Sequence, residues 1–149
     1  MSVNLSLMAK LGHLFKSITG TVPAAASAGT RNGTAINRRQ NGAIAQGCTL
    51  FVSSGAETGA PSARTLDAKI QDSADGSTNW ADYIPPDQTT VAAAPQIVAA
   101  SSSSEVDVNL AGAKAYIRVV EVLAFTAGTT PTLGAQSSVS LYGFDRTPQ

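Results

Sequence analysis

Leu66-Asp67-Ala68-Lys69-Ile70-Gln71 places an apolar side chain at every second position, the alternation of a strand with one buried and one wet face. Ser73-Ala74-Asp75-Gly76-Ser77 follows it. Asp-Gly is a strong hairpin dipeptide, because glycine accepts the positive φ that a tight turn requires. Trp80, Tyr83 and Ile84 then restore apolar content before Pro85-Pro86 ends the run, proline being unable to donate to a ladder. The stretch predicts a strand, a tight turn and a second apolar segment, and with them a β fold.

The same texture extends in both directions. Upstream, Gly42 to Ser53 carries Ile44, Leu50, Phe51 and Val52 and reads as one or two strands, with Thr58 to Ser62 as turn material. Downstream, Ile97 and Val98 suggest a short strand within an otherwise featureless Ala92 to Ser104, and Ser101 to Ser104 reads as a solvated loop. Val106, Val108 and Leu110 alternate with Asp107 and Asn109. Ala115 to Phe125 is the strongest strand, and Ser138 to Phe144 closes the series after a loop at Ala127 to Pro131. Short strands between Gly, Pro, Ser and Asp turns predict a mainly β chain. The architecture expected over residues 34–149 is a single antiparallel β-sandwich or jelly-roll-like domain. Strand–helix–strand alternation is missing, which argues against a parallel α/β sheet.

Residues 1–33 read differently. Leu7, Leu11, Leu14, Phe15 and Ile18 recur at spacings of three and four, which predicts a helix over residues 2–19 with one apolar face. Thr21 to Gly33 is Ala, Ser, Gly and Thr with one proline, the composition of an extended linker. The expectation is an arm that places those five apolar residues on a neighbouring subunit. Val22 to Ala28 also has the small residues of a signal-peptidase site, but Lys10, His13 and Lys16 interrupt the apolar stretch that a signal peptide needs. No apolar run is long enough to span a bilayer, so no membrane partner is expected.

Charge narrows the function classes. The chain has 149 residues, a formal net charge of zero and only 13% charged residues, against roughly 25% in ordinary globular proteins. Low charge favours association and suits a protein packed against neighbours. Nucleic-acid binding needs clustered Lys and Arg, and Arg38-Arg39 with Arg31 nearby is a poor cluster. Those arginines are expected in a solvated or interface segment.

Chemistry-bearing residues are sparse. His13 is the one histidine and Cys48 the one cysteine, too few for a metal cluster or a nucleophilic triad. Cys48 sits in a strand-like run and is expected to be a buried, inert thiol. Asp72, Asp75 and Asp82 surround the Asp75-Gly76 turn, but Ala74 stands where a calcium loop would place an oxygen. Glu105, Asp107 and Glu121 could pair for glycoside hydrolysis, although ordinary surface charge explains them equally. Trp80, Tyr83, Tyr116 and Tyr142 are expected mostly in core packing, with a sugar-binding face as the alternative. The expectation is a non-enzyme with no cofactor and no metal.

One segment resembles a known family. Lys69-Ile70-Gln71-Asp72-Ser73-Ala74-Asp75-Gly76-Ser77-Thr78-Asn79-Trp80-Ala81-Asp82-Tyr83 is similar to a segment of small virion proteins of tailed bacteriophages. Ala115-Tyr116-Ile117-Arg118-Val119-Val120, the loop Gly128-Thr129-Thr130-Pro131-Thr132 and a final strand follow in the same order. The resemblance spans Leu66 to Phe144 and implies a particle-bound β-sandwich.

Its leading functional implication is a capsid decoration, or cement, protein on the virion surface. Such a protein binds between major capsid subunits and associates with itself, as a trimer by family analogy. A tail or neck component and a carbohydrate-binding module are the alternatives.

Overall fold

The computed structural model describes residues 15–40 and 42–145. They form ten strands: β1 (Lys16–Ala26), β2 (Gly29–Asn32), β3 (Ile36–Asn37), β4 (Arg39–Gln40), β5 (Ala43–Thr58), β6 (Ala63–Ser73), β7 (Ala81–Asp82), β8 (Ser103–Asn109), β9 (Tyr116–Thr126) and β10 (Thr132–Phe144). No helix occurs among the described residues.

Two antiparallel sheets pack face to face. One runs β1-β10-β5, with β8 and the short β4 on the far edge of β5. The other runs β2-β9-β6-β7, with β3 continuing the β2 side of β9. Let β2 and β3 count as one interrupted strand and β4 as an addition at the corner. The order is then first–eighth–third–sixth in one sheet and second–seventh–fourth–fifth in the other. That is a jelly roll, in which interleaved Greek keys send the chain back and forth between two sheets.

Period-two burial drives the arrangement. Cys48, Leu50 and Val52 of β5 face Leu66, Ala68 and Ile70 of β6 across the core, beside Ile117, Val119 and Leu123 of β9 and Val139 and Leu141 of β10. Cys48 is fully buried. Desolvation, with Asp107 adding to it, pushes its thiol up to about 12, so it stays protonated and inert, as expected.

The strand read from Leu66–Gln71 is β6, and the best strand read from Ala115–Phe125 is β9. The Gly42–Ser53 segment is one strand that runs on to Thr58, the first residue of the expected turn. The expected tight turn at Asp75-Gly76 is a longer loop, since β7 pairs back on β6 only from Ala81. Within it Gly76 has φ +74°, and a Cβ there would meet the Tyr116 ring at 2.8 Å.

Asp75 organises that loop. It accepts from Thr78 Oγ1 (2.5 Å), Thr78 N (2.8 Å) and Ser77 N (2.9 Å). These bonds, the Thr78 hydroxyl first, hold its carboxyl well below the usual carboxylate range. A folded value below the unfolded one contributes stability above about pH 3.9, lost as pH falls further. Asp75→Ala is therefore expected to melt lower than the wild type at neutral pH. The gap should close as thermal melts are moved from about pH 4 toward stronger acid. A gap constant down to pH 2 would contradict the assignment.

The N-terminal region departs from expectation. Lys16 to Thr19 is strand, not helix, with Ile18 opposite Val139 and packed on the core. Among the described residues the pattern leaves Phe15 exposed and Ile18 on the core, and a ready ladder on β10 overrides helical propensity. Thr21 to Gly33 is not a linker. It completes β1, crosses between the sheets and forms β2, so the boundary expected after residue 33 falls inside the sandwich. Its small residues serve close approach. A Cβ at Gly20 would lie 2.7 Å from Val119, and one at Gly33 would lie 2.2 Å from the Gly20 carbonyl oxygen.

Ala92 to Ile97, featureless in sequence, closes the outer edge of β6. Ile70 N donates to Ala92 O, Ala94 N to Ala68 O, and Leu66 and Ile97 exchange bonds, all at 2.8–3.0 Å. An open edge would be a template for unwanted pairing.

Candidate interaction face

The outer face of the β1-β10-β5-β8 sheet is built from small polar side chains in register. Ser17, Ser140, Thr49 and Asp107 form one cross-strand row. Ser17 and Ser140 hydroxyls lie 2.7 Å apart, and Thr49 Oγ1 donates to Asp107 at 2.7 Å. Thr19, Ser138, Phe51 and Glu105 form the next row. Gln136, Ser53 and Ser103 form a third, with Gln136 Nε2 donating to Ser53 Oγ at 2.9 Å. Side chains this short, tied to one another across the strands, leave a flat surface.

Apolar groups stand out of that surface. Phe51 is 38% exposed at its centre. Register shifts on β1 between Thr19 and Thr21 and again before Ala24 mark a bulge, a feature that re-aims side chains. Thr21 turns inward and is buried, whereas Val22 is 68% exposed. A shallow hollow of about 170 Å³ between Phe51, Thr19, Pro23 and Ser138 completes the patch.

The residues expected to bind a partner separate. Leu7, Leu11 and Leu14 lie outside the described residues. Phe15 is 50% exposed, with its ring tilted against Tyr142 at 6.5 Å between centroids. Ile18 is a contributor to the chain's own core, because its strand parity points it inward opposite Val139.

The other singled-out groups also disperse. Asp72 accepts from the backbone N–H and Nζ of Lys114, and Asp82 pairs with Lys69 at 2.6 Å, so neither shares a site with Asp75. Among the described residues no group of His, Cys, Asp and Glu could hold a metal ion. Glu121 is 0% exposed between the sheets, apart from exposed Glu105 and Asp107. The aromatics line no common face. The Arg118 guanidinium lies 4.5 Å from the Trp80 ring centroid, Tyr83 is buried with its hydroxyl on Asn109 O, and Tyr116 sits under Gly76.

Two arginines that sequence reasoning assigned to solvent or an interface are structural. Arg38 is 8% exposed and donates to the carbonyls of Lys114 (2.8 Å), Ala45 (3.0 Å), Ala113 (2.5 Å) and Leu110. Arg31 pairs with Glu121 at 2.7 Å and reaches Val22 O and Ala135 O. Nothing in the local sequence distinguishes a clasping arginine from a solvated one, since its acceptors are backbone groups brought from distant strands.

No family model matches the chain, and no curated protein matches it. Among solved structures it is similar to a chain in the structure of infectious bursal disease virus, Gx strain. That match has 14% identity and a TM-score of 0.40, and covers 90% of this chain and 33% of that one. This chain thus spans about a third of that chain's length. It is also similar to a chain of desmodium yellow mottle tymovirus, with 8% identity, a TM-score of 0.34 and 89% of each chain covered.

Proposed function

We propose that the chain is a non-enzymatic virion structural protein that acts as a capsid decoration, or cement, protein. The observation that carries this reading is the flat Ser/Thr face around Phe51 on a jelly roll of zero net charge. Such a face desolvates cheaply, since its hydroxyls already bond one another and it holds few charges. It fits a second flat protein surface better than it fits solvent. Jelly rolls also serve capsid and lectin domains, and the sequence resemblance to small phage virion proteins points to the former.

In this reading the face seats on the outer shell where major capsid subunits meet. Residues 2–14, with Leu7, Leu11 and Leu14, then act with Phe15 as an anchoring arm. Each large apolar side chain buried contributes on the order of 1.5–3 kcal/mol before ordering costs. Copies gather as trimers at local threefold positions, where closed symmetry selects that number. Reinforcement follows by linkage, because a ligand that binds only the assembled shell stabilises it.

Shells assembled from the major capsid protein alone provide the test. Adding the chain is expected to raise their melting temperature and to sediment with them. Phe51→Glu is expected to keep the free chain's own melting temperature and to weaken attachment about ten- to a hundredfold, the equivalent of burying one Phe. Removing residues 1–14, which leaves β1 whole, is expected to abolish attachment while the sandwich still folds. Wild-type chain that ignores shells, or a Phe51→Glu chain that binds as well as wild type, would defeat the reading.

A further inference from the structure

Beyond the Phe51 patch, on the β8 side of the same sheet, lies a cavity of about 340 Å³ lined by Gln46, Gly47, Asp87, Asp107, Asn109 and Tyr142, among others. Tyr142 and Gly47 are cross-strand partners, and a Cβ at residue 47 would lie 2.5–3.2 Å from three atoms of the Tyr142 ring. The glycine thus lets the ring lie down over the strand. Tyr142 lines the cavity, with the Phe15 ring tilted against it at 6.5 Å between centroids.

The polar groups beside it are fixed in direction. Asp107 accepts from Thr49 Oγ1 at 2.7 Å, which leaves further lone pairs on a carboxylate that this bond helps to orient. Asn109 Oδ1 accepts from Ala111 N at 3.0 Å, so its NH2 group is turned to donate. Asp87 and Gln46 also line the cavity.

We propose that this cavity is a binding site for a neutral saccharide, taken one or two pyranose rings at a time. The C–H face of a pyranose ring packs against an aromatic face, while its adjacent hydroxyls need acceptors and donors at fixed positions. The two carboxylates accept and the two amides donate. The volume sits at the lower end of small-ligand sites, roughly 300–1,000 Å³. Among the described residues the lining holds no Lys or Arg, so an anionic sugar would meet two carboxylates there. The described residues offer no set of ligands for a cation there. Among the described lining residues a peptide would find one aromatic ring. The proposal does not depend on shell binding. A chain that failed to decorate shells would still be expected to take the sugar.

Saturation-transfer NMR on the free chain tests it. The probes are the methyl glycosides of glucose, galactose and mannose, N-acetylglucosamine, and N-acetylneuraminic acid as the anionic control. At least one neutral probe is expected to receive saturation on its ring protons, with a dissociation constant in the millimolar range. Tyr142→Ala and Asp107→Asn are expected to weaken it roughly tenfold or more. Asp87→Asn, on a connecting segment outside the sheets, is expected to weaken it with an unchanged melting temperature, which separates loss of the site from loss of the fold. Silence from every neutral probe would overturn the proposal. So would an Asp87→Asn and Tyr142→Ala pair that bind as well as wild type, or N-acetylneuraminic acid binding as tightly as the neutral sugars.

Discussion

Arg38→Met is expected to lower the stability of the free chain by about 2–5 kcal/mol. The guanidinium sits at one end of the sandwich and donates to carbonyls on β5, on the turn after β8 and on the approach to β9. Methionine keeps much of the volume and supplies no donor. Each acceptor left buried and unmade costs about 1–3 kcal/mol. Four carbonyls lose a partner, but Leu110 O keeps the Ala113 N–H, which keeps the sum below the full amount. Desolvation already pulls the Arg38 pKa down, so the native cation carries a burial cost that its carbonyls offset. For a chain of this length 1 kcal/mol corresponds to roughly 2–4 °C in Tm, and a drop near 10 °C is the expected reading by calorimetry. Arg39, exposed on the next residue, is the control, and Arg39→Met should leave Tm almost unchanged. Equal effects at the two positions would refute the clasp.

Arg31→Met is expected to cost about 3–5 kcal/mol, the range for breaking a buried ion pair by removing one partner. Glu121 on β9 is 0% exposed and Arg31 on β2 is its counter-charge at 2.7 Å. The Thr21 hydroxyl of β1 also donates to Glu121 and lies 2.9 Å from Ser137 Oγ of β10. One carboxylate therefore joins four strands and both sheets. Deleting the arginine leaves a charge in the core with only neutral hydroxyl support. Deleting both charges removes that penalty, so Arg31→Met/Glu121→Leu is expected to be more stable than Arg31→Met alone. Chemical denaturation of the two single variants and the double variant closes the cycle. Additive losses would mean that the two residues do not act as a pair.

These two sites mark where sequence reading ran out. The alternation in Leu66–Gln71, in Val106–Leu110 and in Ala115–Phe125 is legible because each strand buries one face, and burial has a period of two that one strand records by itself. Arg31, Arg38 and Glu121 carry no such local mark. Their partners lie between 7 and 104 residues away along the chain, and several of those partners are backbone carbonyls with no sequence identity at all. The Ser/Thr face depends on the register between β1, β10, β5 and β8.

The N-terminal region shows the same division from the other side. Local pattern alone gave Lys16–Thr19 the spacing of a helix, and Thr21–Gly33 the composition of a linker. Both became strand because an unpaired ladder on β10 and on β9 was available to them. Backbone groups entering an interior must find partners there. The sequence by itself determined the β class, the polar turns and an inert buried thiol, each a property of consecutive residues. Tertiary structure decided the strand order, the fate of the first strands and which arginines hold the sheets together. Those outcomes depend on which distant segments meet, and the free energy of a cross-sheet contact exists only once both sheets are in place.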